Sequence, residues 1–497
     1  MVVSNLDDRF QTGLLVSFLV FAATVVCYWL FVRPFSFFKR YGIPHPQYSH
    51  LTGNVSDLMR QGTSVYFIMS NMKKFGNIFG FYLGRNPHVV VADPSVLEVV
   101  FVKEFSNFHN RRVPLGTPKS PMHLNMIVAE YKDWKKIRPT VSPTFSASKI
   151  KQTIPLVMQS VDTLANLLTK HAEKEETINI FKLYGQMTME VILSVAFGLK
   201  TDYQLNEDKQ ISEEASHFFS PRPAVLIIDL FPLPKFITDR LKTLFAPDPT
   251  FFVNLLKPVV EERKKNASVR KDFLQLLLAE NKVDGQLKLG DTEIYASAIT
   301  FLLAGYETTS NALAYTTYLL ALHPEIQERL YNEVKDCDMN SEDGKIYEDI
   351  QKLDYLDAVF NESLRFYPPA WQTLRRAEND IVLGKYKIPR DTTISVPIFV
   401  IHHSEQFWKD PEKFDPERFS PERKGDIIPY TFLPFGHGPR NCVGMRFALI
   451  EAKLTLITLL KKFRFVKTKE TEPQPLKLTF GVTMSPANGI NIRVIQR

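Results

Sequence analysis

The sequence predicts a mainly helical α+β protein with small β-sheets, carried behind one amino-terminal transmembrane helix. Three observations predict it. Residues 13–32 are an uncharged run of 20 residues. Apolar residues recur at helical spacing through most of residues 94–335, and short stretches of strand character fall at 78–91, 380–397 and 476–494.

With 497 residues, 44% of them apolar and 12% aromatic, the chain is able to bury a large core. Its 61 basic against 54 acidic residues leave a formal +7. That surplus is too dilute for a dedicated nucleic-acid binder and is compatible with an anionic membrane, an acidic protein partner or an ordinary solvated surface. The three cysteines, Cys27, Cys337 and Cys442, lack the spacing of a disulfide framework or a zinc site. A reducing compartment follows.

The amino-terminal run, GLLVSFLVFAATVVCYWLFV, matches at about 1.5 Å per residue a hydrocarbon layer of roughly 30 Å. Asp7 and Asp8 precede it while Arg33, Lys39 and Arg40 follow, so the positive-inside bias puts the body in the cytosol. A cleaved signal peptide is the rival reading; the run is long for one, and no small-residue cleavage site precedes Arg33. The chain therefore divides into an anchor at 1–33, an elbow at 34–50 built on Gly42, Pro44 and Pro46, and one large domain at 51–497. Sequons at Asn54, Asn266 and Asn361 should carry no glycan if that body is cytosolic.

Strands at 78–83 and 88–91 flank Asn86-Pro87 and read as a hairpin with that turn. The helical middle is interrupted by the proline-studded residues 220–235. A helix at 291–322 opens after the cap signal Gly290-Asp291 and stops at His323-Pro324. On it Phe301, Ala304, Gly305 and Thr308 share one face. Since glycine inside a helix costs about 1 kcal/mol relative to alanine, Gly305 needs a reason, either room for a small ligand or close packing by another helix.

The most informative segment is FGHGPRNCVG, followed by MRFALI. Gly438 and Gly444 let the backbone bend and approach a flat ligand, and Cys442 stands just before a helix amino terminus, where free amides and the dipole lower a thiol's pKa. A thiolate on iron donates electron density that assists O–O cleavage. Outside such a loop, a lone cysteine reads as a small buried hydrophobe.

The ten-residue loop resembles the haem-binding signature of the cytochrome P450 family. The resemblance implies the P450 fold and haem b, with Cys442 as the metal ligand, Phe435 in the cofactor loop and Arg440 paired with a haem carboxylate. The run Ala304-Gly305-Tyr306-Glu307-Thr308-Thr309 resembles the family's acid-alcohol motif. It implies that Glu307 and Thr308 guide protons to the distal oxygen, with Ala304 and Gly305 bordering the cofactor.

Trp134 and Arg138, spaced i, i+4 in YKDWKKIRPTVSPTFS, can face one haem carboxylate, which leaves Lys135 and Lys136 pointing elsewhere, toward a reductase. The resemblance adds Arg111 and Arg375 as carboxylate partners; Arg376 can replace Arg375, because the phase of the strand is open. Glu362, Arg365 and Arg418, in ESLR and FDPERF, resemble the family's buried triad that supports the cysteine loop.

The likeness is closest to the drug- and steroid-oxidising branch called family 3 in vertebrates, through NRRVPLG, WKKIRPTVSPTFS and PFGHGPRNCVGMRFAL. It implies a single-pass protein of the endoplasmic reticulum membrane, its catalytic domain facing the cytosol. Electrons would come from NADPH through NADPH-cytochrome P450 reductase, with cytochrome b5 as an optional partner. One atom of dioxygen would enter a lipophilic small-molecule substrate. Two other functions stand beside this one: a haem-thiolate isomerase of fatty peroxides resembling thromboxane synthase, against which the Glu307-Thr308 pair counts, and a haem carrier or sensor without catalysis.

By the same resemblance residues 110–126, 218–236, 301–309, 369–374 and 480–486 line the pocket. The 38 phenylalanines agree with an apolar ligand. The pieces at 369–374, PAWQTL, and at 218–236 depart from the branch. Leu226, Ile227, Ile228, Leu230 and Phe231 read either as a patch dipping into the membrane or as a buried helix edge.

Overall fold

The protein is described by a computed structural model that covers residues 2–61, 63–112, 118–220, 223–228, 230–231, 233, 235–265, 272–283 and 286–497. The loop residues 113–117, the sequon at Asn266 and the side chain of Leu226 lie outside the described residues.

Helices dominate, and the sheets are small, as the sequence predicts. The Asp291–Leu322 helix runs through the centre with nearly every face buried. It packs on the Ile180–Phe197, Asp354–Phe366 and Met445–Lys462 helices. Its start is fixed by Glu293, whose carboxylate accepts from the Gly290 N–H at 3.0 Å, and it ends at His323 because Pro324 begins the next helix. Small and apolar residues all round suit an interior helix, which has no water to face.

A four-stranded sheet has the order Ile78–Leu83, Asn86–Val91, Thr393–Val396, Thr373–Arg376, with the middle pair parallel and the outer pairs antiparallel. Its first hairpin corrects the sequence reading. Leu83 pairs with Asn86, so the turn is Gly84-Arg85 rather than Asn86-Pro87. Gly84 has φ 60°, a value that costs glycine little, while Pro87 lies in the strand beside the 88–90 segment that pairs onward. Residues 220–235 also contain a helix, Pro223–Ile228, with proline in its first turn, where no amide partner is needed.

Near the carboxyl end, Leu478–Phe480 and Met484–Pro486 form a two-stranded hairpin. Trp371 Nε1 donates to the Gly481 carbonyl at 3.0 Å, and the Met484 N–H donates to the Pro369 carbonyl at 2.8 Å. PAWQTL therefore holds this hairpin against the central helix.

The amino-terminal helix Val2–Cys27 continues through Tyr28–Val32. Within it Thr12–Leu30 has mean hydropathy 2.2 over 19 residues, none of them buried. Ile180–Phe197 is also apolar, but it is a core helix, 72% of it buried. In the elbow, Gly42 at φ 64° ends the Phe37–Tyr41 helix, and Phe35 and Phe38 pack on Tyr82. Asn54 is fully buried, its Nδ2 donating to the Gln47 carbonyl at 2.7 Å and its Oδ1 accepting from the Tyr82 N–H at 2.9 Å.

Candidate active site

The cysteine loop is wound tightly on its own backbone. The Cys442 N–H donates to the Phe435 carbonyl at 2.9 Å and the Asn441 N–H to the Gly438 carbonyl at 3.0 Å. Gly438 is obligatory: its φ is 74°, and a Cβ there would lie 2.1 Å from the Phe101 carbonyl oxygen. At Gly444 a Cβ would make only an ordinary contact, 3.8 Å from Phe145. Cys442 is deep in the protein, yet its side chain is open, because it faces a cavity of about 1060 Å³.

Burial pushes the Cys442 thiol above its ordinary pKa, while the amides of Gly444 and Met445 and the charges of Arg138 and Arg111 pull it back down. The expected lowering by the helix terminus is thus present and is outweighed by desolvation.

Around this loop sit the basic residues singled out in the sequence. Arg138 donates to the Asn441 carbonyl at 2.9 Å and to its Oδ1 at 3.0 Å, and Trp134 lies 4.9 Å from the Arg440 guanidinium. Arg111 donates to the Arg440 carbonyl at 2.8 Å. Arg440 donates to the Ala129 carbonyl, with Nε and Nη1 buried and unpartnered. Arg375 is 2% exposed, bonded to Thr373 Oγ1 and the Leu374 carbonyl at 3.1 Å each, with Nε unpartnered. It sits behind the cavity wall.

Burial lowers Arg440 to about 9 and Arg111 to about 10, and it takes Arg375 well below its ordinary value; Arg111 and Arg440 depress Arg375 further. Arg376 differs in kind. It points to the other side of the strand and holds Glu130 at 2.7 Å and Glu378 at 3.0 Å. Lys136 also departs from expectation, since it pairs with Glu293 at 2.6 Å.

Beneath the loop, Arg365 grips Glu362 with two hydrogen bonds of 2.7 and 2.8 Å, both side chains fully buried, and Arg418 approaches the same carboxylate at 3.4 Å. His402 completes the connection, although nothing local in the sequence marks it. Arg365 donates to its carbonyl at 2.8 Å, and His402 Nε2 accepts from the Leu433 N–H at 2.9 Å. The buried ion pair thereby reaches the backbone that enters the cysteine loop.

Across the cavity, Ala304, Gly305 and Thr308 form part of the wall. Gly305 also answers to packing, because a Cβ there would come 2.8 Å from Ile192 Cδ1. Thr308 Oγ1 donates to the Ala304 carbonyl at 2.6 Å. Glu307 is buried and turns away from the cavity, its carboxylate accepting from the hydroxyls of Thr483 and, at 3.2 Å, Ser485. Burial raises its pKa to about 7 against the pull of those hydroxyls. The acid and the alcohol therefore do not touch each other, since adjacent helical residues point in different directions.

The family model for cytochrome P450 matches residues 43–492. The chain belongs to the cytochrome P450 family. Relatives include Cytochrome P450 3A31 of Mesocricetus auratus, 36% identical over 482 residues and 95% of each chain. Cytochrome P450 3A5 of Homo sapiens is 37% identical over 496 residues and 97% of each chain. Lithocholate 6-beta-hydroxylase of Mesocricetus auratus is 36% identical over 476 residues, 93% of this chain and 92% of that protein. The chain is accordingly a P450 monooxygenase, an oxidoreductase of haem-thiolate type.

The residues of this P450 fit a haem. Arg111, Arg375 and Arg440 gather beside the cysteine with buried N–H groups unpartnered, and none of them forms an ion pair among the described residues. Like charges clustered in a desolvated place suit a ligand that brings carboxylates. The cavity wall draws on most of the stretches expected from the sequence, including all of residues 369–374 and residues 480–483. It also takes in Val55, Leu58, Ile68 and His88, which no motif announces.

Proposed function

We propose that this P450 inserts one atom of dioxygen into a lipophilic substrate, drawing electrons from NADPH through a membrane-bound reductase, with Cys442 as the thiolate ligand of the haem. The observation that carries the reading is the Cys442 side chain opening onto a large cavity beside three arginines with buried, unpartnered N–H groups and no carboxylate partners.

In this reading Arg440, Arg111, Trp134 and Arg138 hold the haem carboxylates from the cavity side, and Arg375 does so from behind. Arg375 is the better candidate than Arg376, whose guanidinium is already committed to Glu130 and Glu378. Phe435, Ala304 and Gly305 border the ring. Bound there, haem supplies the activation of dioxygen and its transfer to carbon. The chain's own part is to hold the ring, exclude water from an apolar chamber, and hold a proton at Glu307 near neutral pH.

The division into anchor 1–33, elbow 34–50 and catalytic domain 51–497 fits a protein held on the endoplasmic reticulum membrane with its body in the cytosol. The unburied Thr12–Leu30 segment supports the anchor. Ile227 and Phe231, 52% and 56% exposed, support a second contact with lipid, although Ile228 is buried. Lys135 stays available to an acidic reductase, and cytochrome b5 would use the same charge complementarity.

The test is spectroscopic and then catalytic. Reduced protein under carbon monoxide should give the red-shifted thiolate band, and Cys442→Ser should abolish it. With reductase and NADPH, a lipid extract should yield products heavier by one oxygen. A histidine-type band in the parent protein would reject Cys442 as the ligand.

A further inference from the structure

We infer that Thr483 is the positioning residue that links the Glu307 carboxyl to the reaction cavity, so that the proton path runs through the carboxyl-terminal hairpin as well as along the central helix. This inference rests on the reading of Glu307 as the proton-holding acid.

Three contacts carry it. Thr483 Oγ1 donates to Glu307 Oε1, and Thr483 is itself part of the cavity wall, whereas Glu307 is not. Ser485 Oγ donates to the same oxygen at 3.2 Å but lies off the cavity. The neighbouring alcohol, Thr308, spends its proton on the Ala304 carbonyl at 2.6 Å. Thr483 is thus the side chain that touches both the acid and the chamber.

Its position is built. Trp371 holds the Gly481 carbonyl, and Asn311 and Tyr315 donate to the Met484 carbonyl at 3.0 and 2.9 Å. These bonds pin both ends of the Gly481–Thr483 turn and aim its hydroxyl at Glu307. The titratable neighbours are Tyr306 and Tyr315 on the central helix, phenols that burial and the Glu307 charge keep neutral. From the hairpin only hydroxyls face the acid, and among the described residues no cation pairs with it.

The proton balance is simple. While Glu307 is ionised, the Thr483 hydroxyl donates to it. Once a proton arrives on Glu307, the carboxyl O–H donates to Thr483 Oγ1, and the hydroxyl proton of Thr483 turns toward the cavity. As that proton leaves, Thr483 takes the one on Glu307, and the hydroxyl ends neutral with one proton moved.

Full-length, haem-loaded protein tests this. Infrared difference spectra follow the protonated carboxyl band of Glu307, assigned by its loss in Glu307→Gln. The parent should titrate near 7. In Thr483→Val the midpoint should rise, making ionisation about tenfold harder, the worth of a lost hydrogen bond to a charged group. Peroxide released per NADPH should rise about tenfold, less than the roughly 10²–10⁴-fold of a complete proton-transfer role, because the path along the central helix remains. Thr483→Ser should restore both values, and Thr483→Ala, which removes the hydroxyl without adding a methyl, should behave as Thr483→Val.

Ser485→Ala should raise the midpoint yet leave peroxide release near the parent's. An unchanged midpoint and peroxide yield in Thr483→Val and Thr483→Ala overturns the proposal, as does uncoupling by Ser485→Ala equal to theirs. Full coupling in Glu307→Gln instead rejects the acid reading on which the inference stands.

Discussion

Glu307 makes the stability of the fold depend on pH. Its carboxyl is raised by burial from an ordinary 4.5 to about 7, so the folded state resists ionisation that the unfolded chain accepts freely. The penalty is absent below pH 4.5, grows between there and about 7, and stays constant above, where it reaches about 3 kcal/mol. Glu307→Gln keeps the acceptor for Thr483 and removes the charge. It should therefore be more stable than the parent at pH 8 and equal to it at pH 4, read by denaturant unfolding at both values. A second residue-scale prediction concerns Arg365. Arg365→Leu strands the Glu362 carboxylate in a fully buried site and should cost about 3–5 kcal/mol, with loss of haem retention. Arg365→Lys should fail to rescue it, because lysine lacks the fork that reaches Glu362 and the His402 carbonyl together. At this scale the sequence spoke where chemistry is local. Gly438, Arg440 and Cys442 lie within five positions, and their pattern is dense. Thr483 meets Glu307 across 176 positions and His402 meets Leu433 across 31, and no local spacing encodes such pairs.

The central helix and its neighbour explain Gly305 at the scale of elements. A methyl there meets the Ile192 side chain, and the crowding offsets the gain of about 1 kcal/mol that alanine normally brings to a helix. Gly305→Ala should thus change stability little in the parent and stabilise the Ile192→Ala background by about 1 kcal/mol. Equal effects in both backgrounds would remove Ile192 as the reason for the glycine. The bounds of this helix were legible because Gly290, Glu293 and Pro324 act within one turn of its ends. The turn of the first hairpin was not. Asn86-Pro87 carries the stronger turn dipeptide, yet the register that buries Val89, Val90 and Val91 places Gly84-Arg85 at the bend. The strand phase at Arg375 was open for a related reason, since Glu130, which with the nearby Glu378 draws Arg376 outward, comes from elsewhere in the chain.

For the whole molecule, the anchor and the body should be energetically separable. No residue of Thr12–Leu30 is buried, and its ties to the rest include the Arg85 bond to the Leu30 carbonyl and the Arg33 contact with Trp29. Deleting residues 2–30 should leave the melting temperature of the haem-loaded body within about 2 °C of the parent, the size of roughly 2 kcal/mol at about 2.1 cal/mol/K per residue in a chain this long, while shifting the protein out of the membrane fraction. A fall of 10 °C would show that the helix braces the body. The overall architecture was readable because hydrophobic period and one dense motif point to the same fold; the cavity was less so, since Val55, Leu58, Ile68 and His88 join its wall from segments that no motif marks.

The burial of Asn54 reaches into experimental design. An oligosaccharyl group on that amide would have to displace the Gln47 and Tyr82 backbone from it, so the finished fold refuses the sugar whichever compartment it matures in. A bare Asn54 consequently says nothing about sidedness. An acceptor tripeptide fused ahead of residue 1 reports it instead, by gaining mass only if the amino end enters the lumen.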